Sequence, residues 1–360
     1  MLEILPKILL YKMNRKFGFP RIMPMNYTLS LLYTCNSRCK TCNIWKKEAK
    51  NLSVSEIEYT FSKIGKAPYW VTISGGEPFL RKDLPEICKV IYRNSHPAIL
   101  NIPSNGILTN QIVKFVDQIT DNCPKTQIII NLSIDGIEEQ HDKIRQIPGN
   151  YKKVVNTYNK LKKLKKKNLS IGIHTVISKF NVKDFSYIAN TLMEKNPDSY
   201  ITEIAEERNE LDTMNSDITP DQLSYRSAID FLIHRIKNGK FKGMNKITQG
   251  FRIEYYNLVK SILRDKKQVI PCYSGIASAQ ISPDGDIWSC CIKANSLGNL
   301  RNHDYDFKRI WFGRRAQKER KTIINKECYC PLANASYTNM LMDIPTLIRV
   351  FYRSFIKWWS

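Results

Sequence analysis

Three cysteines within eight residues, Cys35, Cys39 and Cys42 in a C-x3-C-x2-C spacing, constrain this chain more than any other feature. They directly follow the apolar run Tyr27–Tyr33, which predicts a strand that delivers three thiolates into one short loop. Soft thiolate ligands at such spacing suit an iron–sulfur cluster, and a four-iron cluster held by three cysteines leaves one iron open to another ligand. A structural zinc ion instead closes its shell with four ligands. No Cys or His occurs between Asn43 and Lys82 to supply the fourth.

From Tyr27 to about Ala205, apolar β-branched runs alternate with helical patterns, which argues for parallel strands joined by helices. The predicted strands are Tyr27–Tyr33, Tyr69–Ser74, Ala98–Pro103, Thr126–Ser133, Leu169–Ile177 and Ser199–Ala205. The predicted helices are Ser53–Lys66, Leu84–Asn94, Asn110–Ile119, Tyr151–Lys167 and Val182–Asn196. The expectation is an α/β fold, a partial (β/α)6 TIM barrel, which places its chemistry at the carboxyl ends of the strands. A small α+β unit follows it.

Each predicted strand is followed by something chemically specific. After the second comes Ser74-Gly75-Gly76-Glu77-Pro78, where glycines permit close backbone approach to a ligand and a carboxylate can meet an ammonium group. The third ends at Ser104-Asn105-Gly106 and the fourth at Ser133-Ile134-Asp135. Arg145, in a His141-Asp142-x-x-Arg stretch, reads equally as a partner for a ligand carboxylate or for Asp142 one helical turn away. The sixth strand runs into an acidic island, Glu203 to Glu210 around Arg208, which suits either substrate contact or a solvated loop. Residues 219–264 read as helical, opening with a capping Thr219 and Pro220.

A second cysteine set begins at Cys272 and continues with Gly285, Cys290, Cys291, Cys328 and Cys330. The stretch Ala279–Cys290 reads as a β-hairpin turning at Pro283-Asp284-Gly285-Asp286, which returns Cys290 to the side of Cys272. Cys88 and Cys123 read as plain thiols.

The three-cysteine loop resembles the signature of the radical S-adenosylmethionine (SAM) enzymes, with one departure. The residue before the last cysteine, commonly aromatic in that family, is Thr41. The resemblance implies a catalytic [4Fe-4S] cluster on Cys35, Cys39 and Cys42 whose open iron binds SAM. It also implies reductive cleavage to a 5′-deoxyadenosyl radical that takes a hydrogen atom from a substrate. Gly75, Gly76 and Glu77 resemble the family's GGE motif, which holds the cofactor's amino group. The resemblance carries Ser104 and Asn105 to the methionine end of the cofactor and Ser133 and Asp135 to its ribose. Subgroup members often share a stretch similar to that around Arg145. The C-x12-G-x4-C pattern resembles the opening of the SPASM and twitch extensions, implying one auxiliary [4Fe-4S] cluster on Cys272, Cys290, Cys328 and Cys330, with Cys291 as a possible replacement. An electron donor such as flavodoxin or ferredoxin is implied, and the substrate class divides among peptides, sugars and lipid-linked molecules. The expected organisation is an N-terminal helix (1–24), the barrel core (25–210), a helical connection (211–268), the auxiliary-cluster unit (269–335) and a C-terminal helix (336–360).

Composition sharpens the choice of partners. Fifty-six Lys plus Arg against thirty-three Asp plus Glu gives +23, so a polyanion or an anionic membrane surface is a natural partner. Part of the excess lies in the run Lys160–Lys167, which reads as the solvated face of a helix. A non-catalytic nucleic-acid-binding protein is the competing class, but no nucleic-acid module is visible and no specific nucleic acid is expected. The ten cysteines and the absence of a signal peptide lead to the expectation of reduced thiols in an anaerobic cytoplasm. Both ends have amphipathic patterns: Leu2, Leu5, Ile8, Leu9 and Met13 among lysines, and Leu347, Ile348, Phe351, Phe355, Trp358 and Trp359 with Arg349, Arg353 and Lys357. Such segments either pack on the barrel or attach it peripherally to the inner face of the cell membrane. An enzyme acting there on a lipid or lipid-linked glycan is the alternative reading.

Overall fold

The computed structural model describes residues 5–355, so the expectations on Leu2, Lys357, Trp358 and Trp359 fall outside it. Six parallel strands form the core: β1 (Asn26–Ser30), β2 (Trp70–Ser74), β3 (Ile99–Ser104), β4 (Gln127–Ser133), β5 (Leu169–Ile177) and β6 (Ser199–Ile204). They lie side by side in chain order, each joined to the next through helical crossovers. Runs such as Ile128-Ile129-Ile130 explain this, because parallel strands are covered on both faces and need continuous β-branched apolar sequence.

The covering helices are α2 (Val54–Ile64), α3 (Leu84–Ser95), α4 (Thr109–Asn122), α5 (Glu139–Arg145), α6 (Asn150–Leu161) and α7 (Phe185–Glu194), after an N-terminal α1 (Leu5–Phe17). The start of α2 is fixed by a capping box: Glu56 N–H donates to Ser53 Oγ and Ser53 N–H to a Glu56 carboxylate oxygen. The lysine run does not continue α6. The helix stops at Leu161, and Lys162 and Lys166 pair with Asp198 and with Asp117 and Asp121.

Two helices follow the barrel, α8 (Gln222–Lys237) and α9 (Met244–Asp265). Asp221, not Thr219, caps α8, accepting from the N–H groups of Leu223 and Ser224. The chain then returns as β7 (Ser278–Ile281), β8 (Asp286–Trp288) and β9 (Ser296–Asn299). The expected hairpin forms, with Ile281 opposite Ile287 and Gly285 at φ 92° in its turn. Rather than standing apart, β7 pairs in parallel with β1, so the nine strands of the described residues make one sheet in the order β6-β5-β4-β3-β2-β1-β7-β8-β9. The short α10 (Phe307–Trp311), α11 (Arg314–Ile324), α12 (Ala333–Met342) and α13 (Ile344–Phe355) complete the described residues. Among those residues no helix is long and apolar enough to cross a membrane.

Candidate active site

The cysteine loop leaves the carboxyl end of β1 and is clamped by backbone. Arg38 N–H donates to Arg145 O and Lys40 N–H to Ile144 O, both on α5, while Asn43 N–H reaches Leu211 O beyond β6. Gly75 and Gly76 serve this clamp. A Cβ on Gly75 would lie 2.3 Å from Leu32 O and one on Gly76 2.1 Å from Thr34 O, so only glycine lets the loop after β2 press against the strand feeding the cysteines. Gly76 N–H donates to Leu32 O at 2.7 Å and Glu77 N–H to Thr34 O at 3.1 Å.

That contact carries Glu77 into the interior beside the thiols. Its carboxylate accepts from Ser104 Oγ at 2.9 Å, Asn105 N–H at 2.8 Å and Phe79 N–H at 3.2 Å. Burial nevertheless pushes its carboxyl up to about 7, against the lowering effect of those donors. The side chains of Ser104 and Asn105 are therefore engaged within the protein: Ser104 holds Glu77, and Asn105 Nδ2 donates to Asn36 Oδ1 at 2.7 Å and lies 3.9 Å from Cys35 Sγ. Asn36 was not singled out from sequence, where an Asn between cysteines reads only as a turn former.

Arg145 does not take Asp142 as its partner. Its Nη2 lies 2.7 Å from Asp135 Oδ2, and Nη1 lies 3.6 Å from Cys39 Sγ. Asp142, the neighbour one turn away, instead accepts from Gly149 and Tyr151 N–H groups and anchors the start of α6. Asp135 is buried, with Oδ1 accepting from Val176 N–H, and its carboxylate positions Arg145. Ser133 ends β4 half-buried, opposite His174 on β5.

The three thiols themselves are raised by burial, Cys35 to about 11 and Cys42 to about 12, while Arg145 opposes the rise at Cys39. Loading a metal cluster must therefore expel protons. Among the described residues no three His, Cys, Asp or Glu side chains converge on a single-ion position. An all-sulfur donor set at this spacing suits the separate iron atoms of a cluster.

A family model described as the radical SAM superfamily matches residues 29–192, and one described as an iron–sulfur cluster-binding domain, SPASM, matches residues 272–331. Residues 29–192 are a radical SAM domain, and residues 272–331 a SPASM domain. It is 25% identical over 216 residues to Fe-coproporphyrin III synthase of Methanosarcina barkeri, covering 58% of this chain and 51% of that protein. It is 27% identical over 170 residues to the sporulation killing factor maturation protein SkfB of Bacillus subtilis, covering 46% of this chain and 38% of that protein. The chain thus spans about half the length, or less, of these relatives. A solved structure of anSMEcpe with bound AdoMet superposes with a TM-score of 0.62 at 15% identity, covering 93% of this chain and 98% of that one, and so shares its fold. The radical SAM domain implies a [4Fe-4S] cluster and SAM, and the SPASM domain implies auxiliary iron–sulfur clusters.

Within that region Cys272, Cys328 and Cys330 line one cavity and Cys290 lines another. Burial raises Cys290 to about 12, and Cys272 and Cys328 add to the rise, which sets these thiols within electrostatic reach of one another. Cys330, also raised by burial, feels Cys272 and Cys290 and, in addition, Glu206. Cys291 turns toward the loop after β6, where Arg208 Nη1 lies 3.9 Å from its sulfur.

The acidic island is a bridge between the two cysteine sets. Asn209 and Glu210 N–H groups donate to Ile292 O and Cys291 O at 3.2 Å, while Lys47 Nζ beside the first loop donates to Asn209 O at 2.5 Å. Arg208 Nε lies 3.6 Å from Glu206 Oε1, and its Nη2 lies 3.9 Å from Glu203 Oε1, which is 3.5 Å from His174 Nε2. Burial lifts the Glu206 carboxyl to about 8 despite Arg208, helped by Glu203 and Glu210. Sequence alone leaves this stretch undecided, because a polar loop and a buried polar network have the same composition.

Proposed function

We propose that this chain is a radical SAM maturase that oxidises or crosslinks a gene-encoded peptide or protein. The observation that carries the reading is the clamp that holds three half-buried thiols beside the buried carboxylate of Glu77 at the carboxyl edge of a parallel sheet. When bound, the cluster supplies the electron that cleaves SAM to the hydrogen-abstracting 5′-deoxyadenosyl radical. Cys35, Cys39 and Cys42 would hold that cluster. Glu77, fixed by Ser104 and the Asn105 backbone on the loop set by Gly75 and Gly76, would receive the cofactor's ammonium group, with Ser133 toward its ribose. Asp135 holds Arg145 against Cys39, where a cation stabilises thiolate.

Cys272, Cys290, Cys328 and Cys330 would hold the auxiliary [4Fe-4S] cluster as a site for electron transfer or substrate binding. Glu206, whose carboxyl is raised by burial against the lowering effect of Arg208, lies within electrostatic reach of Cys330. Among the substrate classes, likeness to a protein that matures sporulation killing factor supports a peptide over a sugar. A flavodoxin or ferredoxin would reduce the catalytic cluster, and the basic surface suits such acidic donors.

The test is iron and sulfide content with electron paramagnetic resonance on anaerobically reconstituted wild type and a Cys35/Cys39/Cys42→Ala variant, each given SAM and dithionite. The expected result is roughly eight irons falling to roughly four, with 5′-deoxyadenosine from wild type alone. Zinc in both sets without deoxyadenosine would remove the enzyme reading.

A further inference from the structure

The C-terminal helix α13 is seated inside out. Thr346, Val350 and Ser354 are its buried positions, whereas Ile344, Ile348, Phe351, Tyr352 and Phe355 form an exposed stripe at helical spacing. A surface helix of a globular protein normally shows the reverse. The seat is built to keep it so. Gly250 on α9 admits the helix closely, since a Cβ there would lie 2.9 Å from Ser354 Oγ and 3.2 Å from Val350 Cγ1. Arg349 Nε and Arg353 Nε each donate at 2.7 Å to the buried carboxylate of Glu254 on α9. Rolling the helix to bury its apolar face would break both ion pairs and leave Glu254 buried and unpaired, which is costly.

Leu347 of α13 packs against the cluster containing Ile8, Tyr11 and Met342, which links it to helix α1, itself packed on α12. There too large apolar residues face outward: Leu9, Phe17 and Phe19, with Ile348 and Phe351 of α13, are between 59% and 70% exposed. Lys7, Lys12, Arg15 and Lys16 accompany them, and neither helix contains an acidic residue. Apolar and aromatic side chains among cations, with no anion, complement an anionic lipid surface. A second copy of the same face would instead set cation against cation.

We propose that α1 and α13 together form an interfacial docking surface that seats this enzyme on an anionic membrane. The stripe enters the headgroup region while Lys7, Lys12 and Lys16 meet lipid phosphates. The pinned rotation of α13 makes the surface preformed, so docking needs no refolding.

The experiment is flotation of the full reconstituted chain with vesicles of phosphatidylcholine and phosphatidylglycerol, and with vesicles of phosphatidylcholine alone. Wild type should float with the anionic vesicles and be released by salt, while neutral vesicles retain less. The double variant I348E/F351E should bind about tenfold more weakly or worse. The double variant K7E/K16E should lose the preference for phosphatidylglycerol. Both should form 5′-deoxyadenosine at the wild-type rate, which separates lost docking from lost folding. Wild type that stays at the bottom of the gradient, or I348E/F351E that floats as wild type does, overturns the proposal. So does a dimer in anaerobic size-exclusion chromatography that I348E/F351E converts to monomer, because the face would then belong to a second copy.

Discussion

The two cysteine sets reach similar donor chemistry by opposite routes. Cys35, Cys39 and Cys42 come from a single turn of chain and need only backbone clamps from α5 and the loop beyond β6. Cys272, Cys290, Cys328 and Cys330 come from three separated segments, brought together because β7 pairs with β1, the hairpin returns Cys290, and Gln268 Nε2 holds the Cys328 carbonyl at 2.8 Å. Local spacing makes the first site robust, whereas the second is a product of tertiary structure. The first lies beside the buried carboxylate of Glu77, whose charge is felt at Cys35.

The largest effect should come from crossing the two sets. Cys39→Ala should abolish SAM cleavage and remove about four irons, whereas Cys330→Ser should remove about four irons yet still form 5′-deoxyadenosine without mature product. Product mass spectrometry beside the deoxyadenosine assay distinguishes them. Loss of cleavage in both variants would show that the two sets act as one. Within the second set, Cys290→Ser should lower iron content and Cys291→Ser should leave it unchanged, since Cys291 turns to Arg208.

Next in size is the pair that supports the first loop. Asp135 is buried and Arg145 nearly so, and Arg145→Met leaves that carboxylate without its cation, costing about 3 kcal/mol in the cluster-free protein. Denaturant unfolding measures this, and adding Asp135→Asn should recover part of the loss. A negligible change would mean that the clamp rests on backbone alone.

This pair also marks where the sequence becomes silent. The cysteine spacing, the Gly-Gly-Glu loop and the six alternating strands are legible because each depends on neighbours in the chain. Arg145 has an acid three residues before it, so sequence points to Asp142, yet the fold sends Asp142 to the α6 terminus and brings in Asp135 from the β4 loop. Gly75 and Gly76 are visible as glycines, but what they approach is the backbone of the segment between β1 and the cysteines, some forty residues earlier in the chain. The pattern of α13 announces an amphipathic helix without saying which face turns inward, because Gly250 and Glu254 decide that from a hundred residues away.

Smaller in energy is the acid that separates the two sites. Glu77→Gln keeps the shape but removes the charge, and should weaken SAM binding about tenfold. The sign of its pH dependence follows from burial. With the free carboxyl near 7, protonation below that value discharges Glu77, so wild-type affinity should fall as pH drops through about 7. Glu77→Gln should show a flatter profile in equilibrium dialysis. The same slope in both would assign the titration to another group.

The smallest effect tests how the second site is fastened to the first half of the chain. Glu56, already spent on the α2 capping box, also receives Arg301 Nε at 2.7 Å and the Tyr305 hydroxyl at 2.8 Å, both from the segment after β9. Those partners hold its carboxyl down to about 2, from an ordinary value of 4.5. A depressed carboxyl stabilises the fold fully above the unfolded value and loses that contribution as pH falls from 4.5 toward 2. Since the pair is partly exposed, the gain is modest. Glu56→Gln should lower the apparent melting temperature by about 2 °C at neutral pH. It should also blunt the acid sensitivity of unfolding over that window. If wild type and variant lose stability in parallel as pH falls, the Arg301 contact is not what joins the β9 segment to α2, and the β1–β7 pairing alone carries the second cysteine set.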